Sequence, residues 1–261
     1  MKYQKLGFIF VASTLAASVS LTAVTIDSIF TSTYVPGTYV IDSQVDNAVT
    51  SFTIPLSDLT TAGFSASGND KLVLSISTKW ASNPGGAVTA LSYDGNALTQ
   101  AVAQTGQRTR GEIWYLDNVG SDGDISFTFD AVTEGFAIRL FALDGAAAGV
   151  TSTGNKAQTS DGVLPTLSAS SSAFVLWEAS IHRGTTNIDN DYNDSSFTWG
   201  GRGGSSAFWD IEAAGGTFDA NVINTRTDGS FVGASFAAVP EPSAALLIGG
   251  LGLLMLLRRR R

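Results

Sequence analysis

Several residue types are scarce in this 261-residue sequence, and each scarcity excludes a class of site. Cysteine is absent, which excludes disulfide bonds, thiolate metal centres and a cysteine nucleophile. His182 is the one histidine, so no site within this sequence can use two imidazoles. Charged residues make up 15% of the sequence, against about 25% in an average soluble domain.

The few basic residues are concentrated at the two ends. Lys2, Lys5 and the four arginines at 258–261 account for six of the 15 Lys and Arg residues. Residues 24–239 therefore hold nine basic residues against 22 acidic ones, a net charge of −13. Proteins that bind nucleic acids or anionic membranes do so through Lys and Arg. So acidic a body is predicted to bind neither.

The first 23 residues predict a secretory signal peptide. Lys2 and Lys5 form a short basic start, an apolar run begins at Leu6, and small residues lead to Ala23. This order is typical of a cleaved export signal. The alternative is an uncleaved anchor helix, which the serines and threonines within the run disfavour.

The last 24 residues, 238–261, combine a proline break, a short apolar helix and a basic end. The apolar stretch 244–257 would form a helix about 21 Å long, whereas a stable span needs roughly 20 residues for a core of about 30 Å. It is expected to enter the inner membrane transiently, with the arginines on the cytoplasmic side. The tail therefore suits a removable processing signal. The alternative is a proline linker before a permanent tail anchor.

This arrangement resembles the PEP-CTERM sorting tail of Gram-negative bacteria. The matching residues are the motif Pro240, Glu241 and Pro242 and the basic cluster Arg258, Arg259, Arg260 and Arg261. The resemblance implies export, recognition by a membrane-embedded transpeptidase of the exosortase type, and cleavage of the tail. It also implies that the body is released or attached at the cell surface, in association with exopolysaccharide and biofilm matrix.

Between the ends, residues 24–237 predict one all-β domain. Apolar and polar residues alternate, the period of half-buried strands, and Asp94-Gly95 is the clearest of several Asp-Gly hairpin turns. We expect a single antiparallel two-sheet sandwich, jelly-roll or Ig-like, which the small, polar residues 144–162 do not divide. The predicted strands are 38–45, 49–54, 71–80, 87–93, 97–104, 110–117, 123–130, 135–143, 163–167, 172–182, 195–199, 206–212, 217–225 and 230–237.

An internal segment is also similar to a sandwich domain that is widespread in secreted bacterial proteins. The similarity rests on the hairpin 88–99, on the aromatic run 112–118 and on the strand 123–129. It covers roughly residues 70–145 and implies a sandwich fold. It implies no activity, since such folds host many functions.

The densest acidic patch is a candidate calcium site. Asp189, Asp191 and Asn193 have the alternate spacing of oxygen ligands in a calcium loop, and Asp194 follows them. The EF-hand pattern fails, because Asp194 stands where glycine is needed and Gly200 where glutamate is needed. A calcium site here would be of another, loop-borne kind. The alternative is a solvated acidic turn, and no other cofactor is predicted.

Two tryptophans are candidates for carbohydrate binding. Trp199 and Trp209 flank the glycine-rich residues 200–204 and are expected to be an exposed pair whose rings stack on sugars. The alternative for each tryptophan is packing in the core.

Catalytic residues are not predicted. A Ser-His-Asp triad would have to use His182, and no Gly-x-Ser-x-Gly turn accompanies it. Glu112 and Glu178 lie beside tryptophans and could form the paired carboxylates of a glycosidase. We therefore expect a non-enzymatic exported surface or matrix protein whose body binds polysaccharide; the alternative is a secreted glycan-active hydrolase.

Overall fold

A computed structural model describes most of the body. The described residues are 23–34, 49–79, 86–133, 135–157, 164–181, 187–188, 192–198, 204–219, 222–223 and 229–240. Contacts divide the chain into the body, Leu21–Val239, and a second unit made of the two ends, Met1–Ser20 with Pro240–Arg261. The predicted signal helix and the predicted apolar tail helix lie outside the described residues. Within those residues, no helix is long and apolar enough to cross a membrane.

Most residues of the described part of the body are in β-strands, as predicted. One short helix, α1 (Leu56–Thr61), begins after Pro55. The strands are β1 (Thr25–Tyr34), β2 (Val49–Ile54), β3 (Lys71–Lys79), β4 (Val88–Tyr93), β5 (Asn96–Ala97), β6 (Thr99–Thr105), β7 (Thr109–Asp117), β8 (Ile125–Thr133), β9 (Gly135–Asp144), β10 (Ser152–Ala157), β11 (Leu167–Ala169), β12 (Ala173–Ile181), β13 (Asn187–Ile188), β14 (Asn193–Thr198), β15 (Gly204–Glu212), β16 (Gly216–Phe218), β17 (Val222–Ile223) and β18 (Gly229–Phe236).

Most predicted strands are confirmed within one or two residues, and the turn at Asp94-Gly95 joins β4 to β5. Both turn residues have positive φ, 48° and 74°, as a tight hairpin requires. The strand predicted over 217–225 is two shorter strands, β16 and β17, and the one predicted over 163–167 lies instead at β11. The predicted strand 38–45 lies outside the described residues.

Three antiparallel sheets carry the main packing. The front sheet has the order β2-β8-β4-β5, the central sheet β1-β9-β3-β7-β6, and the back sheet β10-β18-β12-β15-β14. Leu72, Leu74 and Ile76 of the central sheet pack against Phe127 and Phe129 of the front sheet. On the same central strands, the side chains between these positions point to the opposite face. They pack against the back sheet and form a second core.

The sandwich class fits this architecture, but the expected number of sheets, two, is wrong. The central sheet is covered on both faces, and every residue of β3 from Lys71 to Thr78 is buried. Ser75 and Ser77, the polar residues of the alternating pattern in β3, face the back sheet and donate to Glu178. A third apolar cluster around Trp177 lies on the outer face of the back sheet, under the small β11–β16 pair.

Residues 144–157 connect the two halves of the body. Strands β1–β9 form the central and front sheets, whereas β10–β18 form the back sheet and two small strand pairs. The segment was expected to contain no strand, yet it includes β10, which pairs with β18 along six residues. Phe141 from the first half contacts Phe174 and Trp209 from the second, so the two halves share a core.

Candidate functional site

The body ends in a short paired segment directly before the predicted sorting motif. Residues 237–239, here called the exit segment, lie beside residues 145–147, here called the clasp turn. The amide of Ala147 donates to the carbonyl of Ala237, and the amide of Val239 donates to the carbonyl of Gly145, each at 2.8 Å. Ala146 and Ala238 form an antiparallel bridge between them. Backbone pairing therefore continues to the residue before Pro240.

Two aspartates hold the clasp turn and the loop that follows it. Gly145 has φ of 69°, in the left-handed region that favours glycine, and its amide donates to Asp70 Oδ2 at 2.8 Å. The amide of Gly149 donates to Asp117 Oδ2 at 2.9 Å. Lys71 forms an ion pair with Asp117 and donates to the carbonyl of Gly149 at 3.0 Å.

Lys71 is a buried cation in an aromatic environment. Its Nζ lies 4.7 Å from the ring centroid of Tyr115 and 5.4 Å from that of Phe236, distances at which a cation is attracted to a ring face. Burial lowers the pKa of Lys71, and the hydrogen bond and charge of Asp117 oppose that shift. The ion pair links the start of β3, the end of β7 and the loop after the clasp turn.

The exit segment changes from buried to exposed within three residues. Ala238 is 3% exposed and belongs to the core between the central and back sheets, whereas Val239 is 37% exposed and Pro240 is exposed. Of the predicted motif, only Pro240 is among the described residues; Glu241, Pro242 and the arginines 258–261 lie outside them. The body therefore becomes solvent-exposed at the residue that directly precedes the motif in the sequence.

The structure corrects the expectation that Trp209 is exposed. Its side chain is 7% exposed and packs edge-on against Phe141, with ring centroids 5.0 Å apart. A sugar has no access to the face of an indole in this position. Trp199, the other member of the predicted pair, lies outside the described residues. Trp114 and Trp177 are also buried.

The candidate calcium ligands are only partly described. Asn193 and Asp194 are exposed at the start of β14, and Asn193 Nδ2 donates to the carbonyl of Trp209 at 3.4 Å. Asp189 and Asp191 lie outside the described residues, so the calcium site stays a prediction. Among the residues that the structure describes, no three His, Cys, Asp or Glu side chains are grouped as metal ligands.

Glu178, interpreted from the sequence as a possible member of a catalytic pair, is fully buried between the central and back sheets. Its carboxylate pairs with Arg139 Nη1 at 2.9 and 3.0 Å. The hydroxyls of Ser75, Ser77 and Ser205 donate to it at 2.8, 2.5 and 2.7 Å. Burial lowers the pKa of Arg139, and the charge of Glu178 opposes that shift. The carboxylate is surrounded by donors and sits away from solvent.

Glu112 is buried on the opposite face of the central sheet. Its carboxylate accepts from the amide of Val88 at 3.1 Å and from Arg110 Nε at 2.5 Å. Gln100 Nε2 and Trp114 Nε1 donate to its other oxygen at 2.7 and 2.8 Å. Glu112 and Glu178 are thus separated by the sheet, and each is occupied by its own donors. They do not face a common groove, as the catalytic interpretation would require.

Sequence reasoning missed these buried ionic groups and the clasp turn. A signal for the first was present: Arg139 and Glu178 have opposite charges and each lies in the middle of a largely apolar strand. Two such residues, each too costly to bury alone, are expected to pair. For the clasp turn, the dipeptide Asp144-Gly145 was a turn signal. Its pairing with residues 237–239 carried no signal, because these contacts use backbone atoms, which every residue has.

The comparisons with known proteins concern the end of the chain. Residues 238–261 match the family model of the PEP-CTERM protein-sorting motif. The match begins within the exit segment, at Ala238, and includes the whole predicted tail. No curated protein and no solved structure is significantly similar to the chain.

Proposed function

We infer that this protein, a PEP-CTERM protein sorted to the cell surface by exosortase, carries a non-enzymatic binding or structural body that associates with exopolysaccharide. The motif at 238–261 marks the chain as exported, processed at the membrane and sent to the cell surface. This family-model match is the observation that supports the sorting part of the proposal. The proposal further holds that, in a Gram-negative host, the tail is removed and the body is released or attached at the cell surface.

The state of the two central glutamates supports a body without hydrolase activity. A glycosidase needs two carboxyl groups about 5–10 Å apart that face the same glycosidic bond. Glu112 instead projects from one face of the central sheet, whereas Glu178 of the back sheet packs against the other face. At least four hydrogen bonds occupy each carboxylate. A carboxylate so committed has no free lone pair for proton transfer to a substrate.

The outer face of the front sheet supports polysaccharide as the ligand. It is uncharged along much of its length and rich in hydroxyl groups that point outward from β2, β4 and β8. Thr53 Oγ1 and Ser126 Oγ are 3.0 Å apart across two strands, and Thr89 Oγ1 donates to the carbonyl of Thr128 at 3.2 Å. The hydroxyl groups of this face can exchange hydrogen bonds with sugar hydroxyls. The outward residues are Ser51, Thr53, Thr89, Ser92, Ser126 and Thr128.

Mass spectrometry of the mature protein tests the sorting part. We expect the full chain, produced in a Gram-negative host with an exosortase, to lose its tail. The variant Glu241→Ala, changed in the predicted motif, is expected to keep it. Recovery of the parent chain from the cell surface with Arg261 intact would contradict tail removal.

Co-sedimentation with purified host exopolysaccharide tests the binding part. We expect the folded protein to sediment with the polymer and the double variant Thr53→Lys/Thr128→Lys to remain in solution, since the two side chains would crowd the hydroxyl face. The same mixtures are assayed for reducing ends. Their release by the parent protein would favour the alternative, a glycan-active hydrolase.

A further inference from the structure

The backbone of the exit segment is hydrogen-bonded to the rest of the body as far as Val239, the residue before Pro240. The amide of Val239 and the carbonyl of Ala237 are both committed to the clasp turn. The side chain of Ala238 lies in the core between the central and back sheets. The predicted motif begins at the next position after Val239, so the sequence has no spacer between the folded body and the residues to be recognised.

An enzyme that cleaves or transfers a peptide needs the same backbone groups. Extended peptides are commonly bound by strand addition, in which main-chain hydrogen bonds give the affinity and pockets select alternate side chains. The exit segment cannot form those bonds while it is paired with the clasp turn. It must open first, and local opening of this kind at the end of a domain is less costly than global unfolding.

We propose that the clasp turn controls how fast the sorting tail is removed, and that Asp70 and Gly145 are positioning residues for this processing. The inference rests on the proposed function, because it needs exosortase to act next to the exit segment. Asp70 acts through Gly145: its carboxylate holds the Gly145 amide, and the Gly145 carbonyl holds the amide of Val239. Opening this chain of contacts frees the backbone before Pro240.

A pulse-chase experiment on the full chain tests the proposal. In a Gram-negative host with an exosortase, conversion of the precursor to the mature form is followed for the parent and for a variant with Gly-Ser-Gly-Ser inserted between Val239 and Pro240. The insert adds up to roughly 13 Å of chain, so the enzyme no longer competes with the clasp turn. We expect processing to be roughly tenfold faster, since two backbone hydrogen bonds no longer have to open.

Substitutions at Asp70 test its positioning role. Asp70→Ala removes the acceptor for Gly145 and is expected to speed processing several-fold, whereas Asp70→Asn keeps an amide oxygen there and is expected to process like the parent. Asp130→Ala, the same change at an exposed aspartate of the front sheet, is the matched control and leaves the rate unchanged. In the chain that carries the insert, Asp70→Ala is expected to cause no further increase in the processing rate.

The outcomes separate this inference from the proposed function. If the parent loses its tail and the insert leaves the rate equal or lower, the clasp does not limit processing and the inference is overturned. If Asp70→Ala accelerates processing further in the presence of the insert, its effect comes through general stability and the positioning role is wrong. If neither parent nor insert variant is processed, the proposed sorting itself fails, and the inference with it.

Discussion

Arg139 of the central sheet and Glu178 of the back sheet form an ion pair in which neither side chain is exposed. The pair crosses the core between the two sheets, at the end where Ser75, Ser77 and Ser205 replace the apolar residues found elsewhere in that core. Each charge is compensated by the other and by hydroxyl or carbonyl groups. The pair therefore couples the two halves of the body at the cost of two desolvated charges.

Removal of one partner of this pair is expected to destabilise the body strongly. Glu178→Ala leaves the Arg139 guanidinium buried without its counter-charge, and we expect a loss of about 3–5 kcal/mol in the free energy of unfolding, measured by urea denaturation. The double variant Arg139→Met/Glu178→Leu, which removes both charges, is expected to lose less. The exposed Asp130→Ala serves as the control. A Glu178→Ala protein as stable as the control would contradict the prediction.

A methyl group at Gly233 is expected to disrupt the outer face of the back sheet. A Cβ atom there would lie 2.7 Å from Trp177 Cδ1, closer than real side chains pack, and 3.1 Å from Leu167 Cδ1, a tight contact. Since the Trp177 indole also donates to the carbonyl of Pro165 at 2.8 Å, it cannot move without losing that bond. We expect Gly233→Ala to lower the unfolding free energy by about 1–3 kcal/mol.

Gly120→Ala is the matched control for Gly233→Ala. A Cβ atom at Gly120 meets nothing within 4 Å, so its thermal unfolding midpoint should stay near that of the parent. Equal midpoints for the two alanine variants would show that the contact with Trp177 relaxes without cost.

The stability of the body is expected to fall in alkali because of Tyr93. Burial raises the pKa of the Tyr93 hydroxyl, and its hydrogen bond to Asp122 Oδ1 at 2.8 Å adds to the shift. A group whose pKa is raised on folding contributes stability that is complete below its unfolded pKa, about 10 for tyrosine, and is lost as the pH rises above that value. Tyr93→Phe should flatten this alkaline loss in urea unfolding measured at successive pH values. An unchanged slope would show that other groups cause it.

Substitution of Trp209 is expected to lower the stability of the body, whereas substitution of Trp199 is expected to weaken binding to exopolysaccharide. The Trp209 indole is buried against Phe141, so Trp209→Ala should cost about 3–5 kcal/mol of unfolding free energy. The milder Trp209→Phe should remain folded and sediment with exopolysaccharide like the parent. If Trp199 is a sugar-stacking residue, Trp199→Ala should weaken that sedimentation without lowering stability. Loss of binding in folded Trp209→Phe would restore Trp209 as a ligand contact.

Local sequence patterns predicted most strands because the alternation of large apolar and polar residues survives in the fold. Ile125, Phe127 and Phe129 all point into the first core, as their period of two requires. The edge strand β10 was missed for the converse reason, and the edge strand β1 was missed although it contains Ile26, Ile29 and Phe30. In β10 the residues Ser152–Ala157 include no large apolar side chain, and the strand forms because β18 offers it an unpaired edge.

The candidate sites also differ in whether residues close together in the sequence were enough to predict them. The sorting tail was recognised from the sequence and is matched by its family model, because its features are a motif and a composition of residues that follow one another in the chain. Whether Glu112 and Glu178 are exposed could not be predicted from local patterns, since their burial depends on how many sheets pack together. Trp209 was expected to be exposed for a similar reason: Phe141, against which it packs, is 68 positions away in the sequence.

The sequence by itself determined the sorting motif, the β class and the positions of most strands, because each depends on residues adjacent in the chain. Only the tertiary structure decided that the central sheet is covered on both faces, that Arg139 pairs with Glu178, and that the clasp turn holds the exit segment beside Pro240. These features depend on free energies of contact between distant strands: burial of apolar faces, pairing of desolvated charges and hydrogen bonding of backbone groups.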